Sequence, residues 1–511
     1  MSTTVQNTSA FPRTSLCFPR SSAENLAAIA WLFGLQTPRV ETARILELGC
    51  ASAGNLIPFA TRNRRATLVG VDASTAAVEA GRQCIESLGL GNVTLHCARL
   101  DELTAELGQF DYIICHDLYS HVTAQDRQVI ARLCRDHLAA DGVAYVSYNV
   151  YPGWKGREMV RDALLMEAQH AADSGEKLAR ARRLFAFLKR CAPHDGSSMR
   201  SAVDECESIC ADDAALSEFL QPNNVPCYFS DFVARAEAEG LAYLADANPV
   251  GMFVSNVAAD AREALVDACG HSQVALEQRM DFLGNRSYRQ SLLVHADRAG
   301  EIVYRLQPER LARLHVAARF ESPEAVRLDD DQQFFTLHDG RRIGLRGAVA
   351  KVAAYRLNEV WPRTQNLPAL LGYVEQQLGA LPEQAEAQLI ALFERLVVGG
   401  FGRYRLSAVV GGPGAAGMPR VEPEVIAFAE ATQTVTFNPW HESIVLDPFS
   451  SLLLPLLDGC HTQDELLEVI AAAIADERLG FMRDGQPITD REELDRTGVL
   501  HLHRVLDSLM A

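Results

Sequence analysis

The stretch Arg44-Ile-Leu-Glu-Leu-Gly-Cys-Ala-Ser-Ala-Gly-Asn55 decides the fold. Its first five residues are an apolar strand carrying one acid, Glu47, and the strand breaks at Gly49. A loop of small residues follows, and a helix opens at about Asn55. Further on, Leu68-Val-Gly-Val71 is a second apolar run, and it ends on Asp72. Strand, tight loop, helix and a second strand tipped by a carboxylate make a unit that grips an adenosine-containing cofactor through the loop and the ribose hydroxyls.

Two cofactors fit that description. Gly49 to Gly54 aligns with a dinucleotide fingerprint that has alanine at the second glycine, and also with the Glu-x-Gly-x-small-x-small loop that holds S-adenosylmethionine (SAM). Glu47 weighs toward SAM. A pyrophosphate cradle disfavours an acid before its first glycine, because phosphate charge comes close there. SAM has no phosphate and carries a sulfonium cation, beside which an acid is favourable. In either case Asp72 accepts from the ribose hydroxyls, each charge-assisted bond contributing roughly 1.5–3 kcal/mol.

The following residues extend the pattern. Gly89 to Asp101 reads as a turn, a third strand and a polar end; were this a SAM methyltransferase, that loop would hold the adenine, with Asp101 accepting from its amine and Leu100 packing beside the ring. Phe110-Asp-Tyr-Ile-Ile-Cys-His-Asp-Leu-Tyr119 is a fourth strand with His116 to Tyr119 at its exit. Residues 125–138 carry apolar side chains at helical spacing, and 143–147 form a fifth strand running into the aromatic loop Tyr148-Asn-Val-Tyr-Pro-Gly-Trp154. The residues expected to hold the cofactor are Glu47, Gly49, Cys50, Ala51, Gly54, Asn55, Asp72, Ala73, Leu100, Asp101 and His116. No metal ligand set is expected: Cys206 and Cys210 are the one close cysteine pair, with no second pair or histidine spacing to match.

Glu47-Leu-Gly-Cys-Ala-Ser-Ala-Gly-Asn55, Phe110-Asp-Tyr-Ile-Ile-Cys-His116 and Tyr145-Val-Ser-Tyr-Asn-Val-Tyr-Pro-Gly-Trp154 resemble the bacterial methyltransferases that carry a methyltransferase regulatory domain, among them rickettsial protein lysine methyltransferases. The resemblance runs on through Val225 to Phe232, Glu239 to Leu244, Asn285 to Gln290, Leu446 to Phe449 and Leu454 to Gly459. It implies a Rossmann-like class I methyltransferase sheet, SAM as cofactor, a protein lysine acceptor and a homodimer. Ser21 to Glu24, Asp117 and His121 depart from the family's usual residues, and all lie near the expected ligand mouth. A small-molecule acceptor, or SAM binding without catalysis, are the competing readings.

Methyl transfer is an in-line displacement, in which positioning alone supplies about 7–11 kcal/mol in good cases. A lysine acceptor, of pKa about 10.4, must first lose its proton. Tyr119, Tyr148 and Asn149 leave strands four and five where an acceptor would be oriented, and His116 is the candidate base.

Composition bounds the rest. A chain of 511 residues with 48 % hydrophobic content can bury a large core in two or three domains. A net charge of −18 argues against nucleic acid as substrate. Twelve scattered cysteines suit a reducing compartment, and the polar N-terminus and lack of a long apolar run point to a cytoplasmic protein without a membrane span.

The chain divides into a cofactor-binding core (1–154), a helical insertion serving as lid or dimer contact (155–229), a segment completing the sheet (230–299), a winged-helix-like middle domain (300–410) and a helical C-terminal domain (420–511). Acidic residues on the third helix of the middle domain favour protein contact over DNA. The expected class is α/β, with mostly α accessory domains.

Overall fold

The computed structural model describes residues 15–193, 196–320, 325–337, 339–409, 418–476, 478–483, 486–488 and 490–510. Its main sheet contains β1 (Arg44–Leu48), β2 (Thr67–Asp72), β3 (Val93–Cys97), β4 (Phe110–Cys115), β5 (Leu138–Asn149), β6 (Leu241–Asp246) and β7 (Tyr288–His295). The order is β3-β2-β1-β4-β5-β7-β6. β1 to β5 run parallel, and β7 lies antiparallel between β5 and β6. Strand order reverses between β1 and β4, so the crevice above their carboxyl ends is where such a sheet takes a ligand.

Alternation along each strand sorts side chains to two faces. Ile45, Tyr112, Ile114, Val143 and Tyr145 pack in one core, together with the helix Ala23–Leu32. Leu46, Leu48, Ile113, Cys115, Val146 and Tyr148 pack in the other, with residues of the helices Ala124–His137 and Phe229–Ala238. Glu47 shares the parity of Ile45 and therefore the first face.

β6 and β7 finish the sheet, as the sequence predicts for 230–297. The fifth strand is longer than expected: the preceding helix stops at His137, and Asp141-Gly142 lies within β5 instead of ending a helix. Among the described residues the insertion holds five helices, from Trp154–Ala168 to Asp213–Phe219, around a small core of its own that contains Trp154. Trp154 is 4 % exposed and packs against Phe219, so it is a core residue of the insertion and not a pocket wall.

Beyond β7, the hairpin Gln333–Thr336/Arg342–Leu345 precedes three helices, and Arg403–Arg405 pairs with His315–Ala317. The C-terminal part contains two hairpins, Val435–Phe437/Ser443–Val445 and Met482–Arg483/Gln486–Pro487, among its helices. Strands of two or three residues are too short to show alternation, which is why the sequence reads there as helical. The hairpin turn residue His338, the helix break at His194 and Asp195, and most of the glycine-rich linker (residues 411–417) lie outside the described residues. All twelve cysteines are free. Among the described residues no helix is long and apolar enough to cross a membrane.

One charged group fastens β7 from inside. Arg289 is fully buried and donates to both oxygens of Asp281, at 2.7 and 2.8 Å, and to Glu277 Oε2 at 2.8 Å. Both acids sit on the helix Gln273–Leu283, between β6 and β7 in sequence. Removing one partner of such a group strands the other charges in a dry interior. Arg289→Ala is expected to lower stability by about 3–5 kcal/mol in urea unfolding, and a loss below about 1 kcal/mol would contradict this role.

Candidate active site

The loop after β1 turns within a few residues. Gly49 has φ +77°, and Ala51 and Ala53 have φ +47° and +63°. Gly54 must be glycine for want of room: a Cβ there would stand 2.0 Å from the Ser15 carbonyl oxygen. The Gly54 N–H donates to Ser15 Oγ at 2.7 Å, so residues 15–18 lie as a strap across the loop. Asp72 anchors the other side. Its Oδ2 accepts from the Ala51 N–H at 2.9 Å and its Oδ1 from the Ser74 N–H at 2.8 Å. Spare lone pairs on both oxygens remain for sugar hydroxyls. Ala73 is exposed beside it, while Cys50 turns its thiol into the core and offers the site only backbone.

Glu47 is 3 % exposed, at the head of β1. Its Oε1 accepts from Asn55 Nδ2 at 2.9 Å, and its Oε2 is buried without a hydrogen-bond partner among the described residues. Burial, opposed by the Asn55 bond and reinforced by the charge of Asp72, pushes its carboxyl up to about 8. The orphaned oxygen is a place for a cation or a donor on a ligand.

The exit of β4 forms the second half of the site. His116 stacks on Phe18 of the strap, with ring centroids 3.8 Å apart. Its Nδ1 lies 2.9 Å from the Tyr145 hydroxyl, which also accepts from Gln290 Nε2. Burial drives His116 down to about 4, the charge of Asp117 countering only in part. A ring whose affinity for a proton is lowered in this way is poorly matched to an amine of pKa about 10.4, so this geometry lends the expected role as base no support.

Asp117 follows with φ +51°, its N–H bonded to Ser147 Oγ at 2.7 Å. Its carboxylate, His121 and Glu218 of the inserted helices bring their donor atoms within 4.8 Å of one another. His121 Nε2 is 3.3 Å from Glu218 and 3.8 Å from Asp117. Such a cluster can receive a positive group, whether an ammonium or a divalent ion.

Other expected residues fall elsewhere. Tyr148 points to the face opposite Tyr145, is fully buried and bonds Ser291 Oγ at 2.9 Å. Tyr119 is 3 % exposed and packs edge-on against Phe232. Both side chains pack in the core on that face, which strand alternation and the helix Phe229–Ala238 cover. Asn149 donates to Asn224 Oδ1 at 2.9 Å and its N–H to Ser120 Oγ at 2.8 Å, tying the end of β5 to the insertion. Leu100 is half-buried at the turn after β3, and the exposed Asp101 takes a 3.0 Å bond from Arg99, which holds its carboxyl below the usual range.

Sequence reasoning missed Ser15, Phe18, Glu218 and His441. His441, from the C-terminal hairpin turn, places Nε2 3.0 Å from Asn55 Oδ1. These residues come from far along the chain or from a strap with no periodic signal, and one sequence gives no cue that they meet.

Comparison with known proteins agrees with this geometry. A methyltransferase-domain model matches residues 45–142, a predicted methyltransferase regulatory domain matches 212–295, and the PKMT C-terminal winged helix domain matches 418–511. The regulatory match takes in β6 and β7, so that segment is the tail of the sheet as the sequence reading holds. The winged helix falls on the segment read as helical, beyond the middle domain where a winged-helix-like arrangement is expected. Protein RP028 of Rickettsia prowazekii (strain Madrid E) is 30 % identical over 229 residues, covering 44 % of this chain and 92 % of its own length. Protein RP789 of the same organism is 27 % identical over 507 residues, 94 % of this chain and 89 % of its own. PKMT2 from Rickettsia typhi, solved in complex with AdoHcy, superposes with a TM-score of 0.84 at 25 % identity, over 97 % of this chain and 98 % of that one. The chain belongs to the family of class I SAM-dependent methyltransferases that carry a methyltransferase regulatory domain.

Proposed function

We propose that this methyltransferase acts on a lysine amine of a protein. The observation that carries the reading is the pair of carboxylates, Asp117 and Glu218, converging on His121 at the exit of β4. Two acids at that mouth suit a cationic acceptor better than a neutral or acidic one. The near full-length likeness to PKMT2 from Rickettsia typhi supports the same acceptor class.

SAM, when bound, supplies an electrophilic methyl on a cationic sulfur. Asp72 would accept from the ribose hydroxyls, and the Gly49 to Gly54 loop would bring its backbone close. Glu47 would set its unpartnered Oε2 against the positive methionyl end, a fit that the orphaned oxygen supports. Phe18 and His116 would exclude water. Asp117 and Glu218 would draw the ammonium in and favour its charged form, so the proton would leave to solvent only as the nitrogen moves from the acids toward the cationic sulfur, whose positive charge favours the neutral amine. The Asp101–Arg99 pair would open for Asp101 to reach an adenine amine.

Three outcomes test this reading. Incubated with radiolabelled SAM and a cell lysate, the protein should label protein bands; label confined to low-mass extract would refute the acceptor class. Asp72→Ala should weaken AdoHcy binding in calorimetry at least about 100-fold, two charge-assisted bonds being lost; normal transfer by this variant would break the assignment. Glu218→Gln should raise the KM for acceptor roughly three- to tenfold with a smaller change in kcat, since the half-exposed charge draws in the amine without taking part in the chemistry.

The pH dependence has a definite sign. Empty, Glu47 keeps its proton up to about 8, and pairing with a cationic ligand requires its loss. SAM affinity should therefore rise between pH 6 and 8, by up to about tenfold per unit, and level off above. Glu47→Gln should flatten that profile; a flat wild-type profile would remove Glu47 from the cation contact.

A further inference from the structure

We propose that His441 of the C-terminal domain is a positioning residue of the cofactor site, acting through Asn55 on Glu47. This rests on the SAM reading of the site above.

The hairpin turn at 438–442 is rigid. Asn438 Oδ1 accepts from the N–H groups of Trp440 and Glu442, at 3.0 and 3.1 Å, and the His441 N–H bonds the Asn438 carbonyl at 3.0 Å. His441 is left with φ +61° and 1 % exposure, aimed at the loop after β1. Arg62 lies on the helix Leu56–Arg62, which that loop opens. It donates to the Pro439 carbonyl at 2.7 Å and approaches His441 Nδ1 at 3.4 Å.

The donors fix every hydrogen in the chain of contacts. A guanidinium only donates, so His441 Nδ1 accepts and Nε2 carries the proton. Burial, assisted by Arg62, pushes His441 down to about 3, so the ring is neutral and this tautomer persists. Nε2–H then donates to Asn55 Oδ1, which also receives the Phe18 N–H at 3.1 Å, while the Ser21 hydroxyl lies 3.2 Å from it and 3.0 Å from the Phe18 carbonyl. The two N–H donors on the oxygen leave the Asn55 amide one orientation, with Nδ2–H toward Glu47 Oε1. Rotating the amide would set its NH2 against those donors and its oxygen against the carboxylate.

A second connection runs in parallel. Ser443 Oγ, in the same hairpin, accepts from the Cys17 N–H at 2.7 Å and donates to the Cys17 carbonyl at 3.2 Å. Cys17 belongs to the strap that covers Gly54. The C-terminal hairpin therefore holds both the acid that meets the cofactor's positive end and the strap above the loop. No other domain boundary among the described residues brings a side chain to Glu47 in this way.

His441→Leu keeps the packing and removes the bonds, whereas His441→Gln can still donate to Asn55 and accept from Arg62. AdoHcy affinity by calorimetry, and KM and kcat for SAM, are to be measured on the full-length variants. Loss of a donor to a buried acceptor predicts about tenfold weaker binding in the leucine variant, with KM rising more than kcat falls and substantial recovery in the glutamine variant. A folded leucine variant within twofold of wild type, or a glutamine variant as weak as leucine, overturns the proposal. If the leucine variant does not fold, hydrogen exchange on the wild type decides. AdoHcy should slow exchange across 435–445, because coupling is reciprocal, and unchanged exchange there overturns the proposal. Failure of the wild type to bind AdoHcy would instead refute the SAM reading itself.

Discussion

A single amide holds the cofactor crevice in register. Asn55 stands at the start of the helix after the first loop, gives its NH2 to the acid at the end of β1, and collects on its oxygen a backbone N–H from the strap and an imidazole from the C-terminal hairpin. An acid in a dry site is costly unless its partners are fixed. Glu47 has one oxygen satisfied by that amide, while the other has no hydrogen-bond partner among the described residues. The crevice depends on this bond, and the bond depends on chain from both ends of the molecule.

The two faces of the sheet divide the work. On the face of Ile45, alternation brings Glu47, Tyr145 and Ser147 toward the strap and His116. On the face of Leu46, the same alternation sends Tyr148 into a stack with Phe232, at 4.0 Å between centroids. Aromatic residues flanking β4 and β5 therefore look equally functional in a linear string, yet only one parity reaches the crevice. The inserted helices bring Glu218 to the exit of β4, so the group of Asp117, His121 and Glu218 is assembled partly by an element that is not part of the sheet.

This sets what a sequence can reveal. The strand-loop-helix-strand unit that carries Glu47, the glycine loop and Asp72 was legible because it is local: its geometry follows from residues close in the chain. The late completion of the sheet was legible from the amphipathic helix closed by Gly240 and the apolar strands that follow. The environment of His116 was not, because it is buried and stacked on Phe18, a residue of an irregular strap. The winged helix escaped detection because its strands are too short to alternate. His441 escaped because nothing at position 441 signals that position 55 is its partner.

The placing of β7 has a consequence for biosynthesis. β5 is an interior strand only once β7 has arrived beside it, and β7 is separated from it by the inserted helices, β6 and a further helical pair. Until the ribosome has released that distant strand, the emerging cofactor-binding half carries a long border of backbone donors and acceptors without their strand partner. Such a border pairs readily with any other extended chain. A fragment cut just after β5 is expected to keep that open edge permanently.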